Sequence, residues 1–126
     1  MLKRSVNYAQ FLASSIEKSA QIGQTSHTIL HQDHKACVRF FAPEEARHTP
    51  VFIVMPLINT WTIFDLLPEK SVIAALLKIG TPVYLLDWGR PGPEDAQITL
   101  DQLLNRTLYR CLNRVQRDAK QRYQIE

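Results

Sequence analysis

Cysteine is scarce in this chain of 126 residues: Cys37 and Cys111 are the two present, far apart and without a Cys-x-x-Cys pair, so neither a zinc knuckle nor a dithiol redox motif is indicated. Both thiols are expected to stay reduced. Long apolar stretches are also missing. The longest, residues 50–58, falls well short of the roughly 20 residues a membrane-spanning helix needs. Residues 1–4 are positive like the start of a secretory signal, but Asn7, Gln10, Ser14, Ser15, Glu17 and Lys18 interrupt any apolar region behind them. A cytoplasmic location is therefore expected, unless the chain is recruited to a hydrophobic surface. Charge of one sign is lacking as well: 15 basic against 12 acidic residues leave a net charge of +3. Much of the excess (Arg106, Arg110, Arg114, Arg117, Lys120 and Arg122) falls on one side of a late helix, the usual place for solvated charge opposite an apolar stripe. No nucleic-acid partner is expected.

What is present is an ordinary globular composition, 45% hydrophobic and 21% charged, which predicts a packed core in a single domain at most. Leu2, Val6, Ala9, Ala13, Ile16 and Ala20 recur at helical spacing, and Gly23 stands where a left-handed cap would end that helix. Residues 28–31 and 36–41 are β-prone runs separated by polar residues, as in a hairpin. His27, His31 and His34 cluster there. Alternation puts His27 and His31 on one face and His34 in the turn, with no acidic or cysteine ligand to complete a set, so no metal is expected.

From Thr49 onward the pattern alternates. Residues 51–55 form an unbroken apolar run between Pro50 and Pro56, as in a central strand covered on both faces. Pro68 fits the first turn of a helix whose buried stripe is Val72, Ile73, Leu76, Leu77 and Ile79, and which Gly80 stops. Residues 82–87 give a second buried strand. Strand, helix and strand make one βαβ unit with parallel strands. After a Gly/Pro loop, Thr99 and Gln102 match a capping box that opens a helix buried through Leu100, Leu103, Leu104, Leu108, Cys111, Leu112, Val115 and Ala119. Residues 123–126 look like the first of a third strand. The expected fold is an incomplete α/β parallel sheet. Residues 1–48 form a helix-and-hairpin lead-in, and residues 49–126 form a βαβα unit whose sheet is unfinished.

Three segments, TPVFIVMPLINTWTIFDLL (49–67), SVIAALLKIGTPVYLLDWG (71–89) and residues 100–115, resemble polyhydroxyalkanoate synthases, especially class III catalytic subunits. The resemblance covers roughly the last 80 residues, and more loosely Gly23-Gln24-Thr25 and the hairpin. It implies an α/β-hydrolase-like core and an acyltransferase that polymerises (R)-3-hydroxyacyl groups from coenzyme A thioesters into polyester. It implies no cofactor. The family's Gly-x-Cys-x-Gly elbow lifts a thiol above the sheet beside backbone N–H donors, and nothing in this sequence matches it. Cys111, mid-helix on an apolar face, reads as core packing. The catalytic cysteine, aspartate and histidine are thus expected beyond residue 126.

By the same resemblance the loop after the first central strand, Pro56-Leu57-Ile58-Asn59, is an oxyanion loop, with Ile58 the first candidate donor and Asn59 the second. Such a donor is worth about 3 kcal/mol opposite a nucleophile and catalyses nothing alone. A plain strand exit with Asn59 in a turn is the competing reading. Trp61 and Trp88 are candidates for the acyl pocket, against a reading as core aromatics. Asp65 and Asp87 read as structural residues that fix their loops. The leading expectation is an N-terminal synthase fragment, inactive alone. The alternative is a small α/β accessory protein that binds a synthase subunit or polymer granule through its sheet edge and amphipathic helix. An ordinary hydrolase fragment is disfavoured by the Leu-Ile-Asn and Asp-Trp-Gly segments.

Overall fold

A computed structural model describes residues 9, 10, 12–14 and 22–125. Of the helix expected over residues 2–22, Ala9, Gln10, Leu12, Ala13 and Ser14 are described and helical and Ile22 is in a turn; the rest of that expectation lies outside the described residues.

β1 (Thr28–Asp33) and β2 (Ala36–Phe41) form the antiparallel hairpin, closed at His34 and Lys35 with His34 in the left-handed region at φ 54°. β3 (Val51–Val54) and β4 (Val83–Asp87) run parallel, Val51 opposite Val83, as the βαβ pattern requires. The hairpin does not stand ahead of a parallel sheet. β2 pairs antiparallel with β4, Cys37 opposite Asp87, and gives a mixed sheet in the order β1-β2-β4-β3. The reason lies in β2 itself. Ala36, Val38 and Phe40 are buried on one face and Cys37 and Phe41 on the other, a two-sided demand that only an interior strand meets. β4 is interior too. β3, expected to be central, is an edge strand with every residue at least partly exposed.

Between β3 and β4 the expected helix is split. Pro68–Lys70 makes a separate 3-10 turn, and α1 (Val72–Lys78) starts after Ser71, whose Oγ accepts from the Ala74 N–H at 2.9 Å. Pro68 therefore opens the wrong turn. The buried stripe is narrower than the periodicity suggests, because Ile73 is fully buried while Val72 and Ile79 face solvent. Gly80, at φ 87°, ends α1 as anticipated. The N–H groups of Gly80 and Thr81 donate to the carbonyls of Leu77 and Leu76 at 3.0 and 2.9 Å, which satisfies the last turn.

The capping box forms: the Gln102 N–H donates to Thr99 Oγ1 at 3.2 Å and the Thr99 N–H to Gln102 Oε1 at 2.9 Å. α2 (Leu100–Gln102) leads into a π-helical segment, Leu103–Leu108, and then α3 (Tyr109–Tyr123). Leu100 and Leu104, expected in the apolar stripe, are exposed, because the helix meets the sheet only from Leu108 onward. The strand start expected at residues 123–126 is absent among the described residues. Tyr123 is the last helical residue and packs on the core, Gln124 is left-handed at φ 51°, and Ile125 joins no strand.

Helices cover both faces of the sheet. Cys111 and Val115 of α3 pack on Ala36, Val38, Phe40, Tyr84 and Leu86, while Ile73 of α1 meets Phe41, Met55, Val83 and Leu85 on the other side. A polar brace is built into the α3 side. Tyr84 donates its hydroxyl to Asp118 Oδ2 at 2.7 Å, Arg122 Nε donates to the same oxygen at 2.7 Å, and the Arg122 guanidinium lies 4.6 Å over the Phe40 ring. Burial, then Asp118, holds the Tyr84 hydroxyl protonated far above the ordinary phenol range.

Candidate functional site

Parallel pairing brings the exits of β3 and β4 to the same end of the sheet, and the antiparallel β2 returns the β1–β2 turn to that end as well. In open α/β sheets ligands bind outside these carboxyl ends. Trp88 Nε1 donates to the Met55 carbonyl at 2.6 Å and ties the two exits together. Trp88 and Leu57 then line a cleft of about 340 Å³, closed by Lys35 of the hairpin turn, Ile98, and Leu103 and Arg106 of the π segment. Gly89 allows the approach. Its φ is 75°, and a Cβ there would collide with the Lys35 carbonyl, so the chain can pass the hairpin turn only as glycine. Lys35 pairs with Glu94 and Asp95 across this gap, which raises the lysine pKa and lowers both carboxylates.

The four expected site residues are not gathered together. Ile58 projects into solvent at 93% exposure, and the Asn59 N–H closes a turn on the Pro56 carbonyl at 3.4 Å. Neither lines the cleft. Trp61 opens a 3-10 turn, Trp61–Phe64, and packs among His27, Phe41 and the Arg39 guanidinium, 4.5 Å from its ring. Trp88 alone of the two tryptophans lines the cleft.

Asp87 fixes its loop, accepting from the Gly89 N–H at 3.0 Å, and it also holds Arg39, whose Nη2 and Nε donate to Oδ2 at 2.9 and 3.2 Å. Arg39 was missed. Its sequence signal was a lone cation in an otherwise apolar strand, which needs a carboxylate to be tolerated. Arg39 Nη1 also meets His27 Nε2 at 2.9 Å, and because guanidinium only donates, the imidazole accepts there and turns its Nδ1–H to the Thr25 carbonyl at 2.9 Å. Asp65 is buried and accepts from the Thr25 N–H, the Thr25 hydroxyl and the Ser71 hydroxyl at 2.9, 2.6 and 2.5 Å. It thereby joins the lead-in to the cap of α1.

The histidines do not share a face as alternation suggested. A β-bulge between Ile29 and His31 places His31 opposite Val38 on the α3 side, while His27 stacks on Phe41 at 4.8 Å on the other. Among the described residues no His, Cys, Asp and Glu side chains group to hold a metal. Both thiols are buried. Burial, then Asp33, pushes Cys111 up to about 11, and burial raises Cys37 despite Arg39 beside it. Neither has the exposed, thiolate-favouring surroundings of a nucleophile. No helix among the described residues is long and apolar enough to cross a membrane.

No family model matches the chain. Among curated proteins it is 36% identical over 105 residues to the poly(3-hydroxyalkanoate) polymerase subunit PhaC of Haloarcula marismortui, which covers 76% of this chain and 22% of that protein. It is 34% identical over 94 residues to the subunit of the same name in Haloferax mediterranei, 73% of this chain and 19% of the relative. It is 36% identical over 99 residues to the Synechocystis subunit, 77% of this chain and 26% of the relative. The matches span about a fifth to a quarter of these relatives' length.

Proposed function

Because the chain is a relative of the polyhydroxyalkanoate synthases, we propose that it is the part of an α/β-hydrolase-type acyltransferase that precedes the nucleophile, supplying an oxyanion loop and one wall of the active-site cleft. In the whole enzyme the substrate is an (R)-3-hydroxyacyl coenzyme A and the product a polyester. The observation that carries this reading is the loop after β3. It leaves the carboxyl end of a parallel strand, precedes α1, and stands beside the β4 exit through the Trp88 to Met55 bond, the position where hydrolase folds keep one oxyanion donor. Ile58 is the first donor. The Asn59 N–H, held in its turn, is the second and the weaker candidate.

By itself the chain is inactive on this reading. Its two thiols are buried and held protonated, and no Gly-x-Cys-x-Gly stands in the sequence. Incubation of the purified chain with (R)-3-hydroxybutyryl coenzyme A, with free coenzyme A measured, is expected to show no release above the uncatalysed rate. Sustained release would overturn the missing-nucleophile reading. One feature favours the alternative of an accessory protein that binds a synthase subunit or polymer granule: the open edge of β3, with Val54, Leu57 and Ile58 exposed, is the kind of surface another strand adds to. Co-purification with an intact synthase, lost on Val54→Lys at that edge, would favour this second reading over the first.

A further inference from the structure

The cleft beside Trp88 has a composition of its own. Its walls at Leu57, Trp88, Ile98 and Leu103 are apolar, and its volume of about 340 Å³ lies at the lower end of small-molecule pockets. The charges on its lining are nearly all spoken for. Lys35 pairs with Glu94 and Asp95, and Asp33 faces Arg110 at 3.6 Å, though its buried Oδ2 accepts no hydrogen bond among the described residues. Arg106 is the exception: among the described residues it makes no ion pair or hydrogen bond, yet it lines the cleft. It does so from the π segment Leu103–Leu108, an interruption that offsets the start of this helix by about one residue from α3 and is frequent at functional sites.

We propose that this cleft binds an aliphatic carboxylate, with its chain along Leu57, Ile98, Leu103 and the Trp88 ring and its carboxylate on the Arg106 guanidinium. An unpaired guanidinium at the mouth of an apolar groove matches a planar monoanion with an apolar tail, since two N–H groups can donate to its two oxygens. A cationic head would meet Arg106 as a like charge. A neutral one would leave the guanidinium unpaired. The inference goes beyond the synthase reading, because it asks only that this chain form the cleft and needs no acyl transfer.

The test is a titration of the isotope-labelled chain with octanoate, followed by NMR at the two indole N–H groups. The Trp88 resonance is expected to shift saturably while that of Trp61, outside the cleft, stays in place. Octanol and acetate, each lacking half of the ligand, should bind more weakly. Arg106→Gln should weaken octanoate about five-fold, the upper range for an exposed ion pair, and bring it to the level of octanol. Added salt should weaken octanoate and leave octanol unchanged, a comparison that needs no variant. Ile98→Trp, at an exposed position on the lining, should block both. Absence of a saturable Trp88 shift, equal shifts at both indoles, or undiminished octanoate binding by Arg106→Gln would each overturn the proposal.

Discussion

β3 and β4 are parallel neighbours in register, and each is a short unbroken apolar run, yet they live in different surroundings. Val83, Tyr84, Leu85 and Leu86 are fully buried between two helices and two strands, whereas Val51, Phe52 and Ile53 are half-buried and Val54 is 44% exposed. The difference comes from partners. β4 has β2 on one side and β3 on the other, while β3 has one neighbour and, among the described residues, a free edge. An apolar run makes a strand; the number of strands and helices available to cover it decides how much of it leaves water.

The largest expected effect tests that contrast directly. Leu86→Ala should cost about 2–5 kcal/mol in urea unfolding, since a fully buried leucine leaves a cavity under α3, and Val54→Ala should cost under about 1 kcal/mol. Similar losses at both sites would mean that the β3 edge is covered in solution. Next in size is Asp118→Ala, expected to cost about 2–3 kcal/mol, because the Tyr84 hydroxyl is left buried without its acceptor. Removing that hydroxyl as well, in Tyr84→Phe/Asp118→Ala, should recover part of the loss.

A smaller effect is set by pH. The folded Cys111 thiol sits near 11, above its ordinary 9, so the unfolded chain gives up this proton first as pH rises. Its contribution is fully present below about pH 9 and is lost as pH climbs toward about 11, with the raised Tyr84 hydroxyl pulling the same way. The thermal midpoint should fall across that window, and Cys111→Ala should flatten the fall. A midpoint as steep in Cys111→Ala would assign the loss to other groups. The smallest effect is at Ile58, where Ile58→Ser should leave stability within about 0.5 kcal/mol, because the side chain touches little. A larger loss would show that something packs on the loop.

Local signals were legible wherever a few adjacent residues settle the matter. The Thr99–Gln102 box, the Gly80 stop, the hairpin and the parallel β3–β4 pair could all be read from spacing and turn chemistry. The site was legible in pieces. Trp88 reached the cleft through a short exit loop, but Trp61 turned away because Arg39 and Phe41, far back in the chain, offered it a packed seat. The Tyr84–Asp118–Arg122 brace and the Thr25–Asp65–Ser71 knot were hidden for the same reason: each joins residues that no local pattern relates. The bulge that parts His27 from His31 was also out of reach, since pairing register is a property of two strands.

The sequence alone determined most of the segments that become strands and helices, where several of them stop, and that no Gly-x-Cys-x-Gly stands within these 126 residues, because these depend on neighbours within a turn or two. Tertiary structure decided that the hairpin shares the sheet, that β3 is an edge, and that Arg106 meets an apolar cleft. Those outcomes follow from which distant surfaces can bury one another, and burial is settled only when the whole chain has packed.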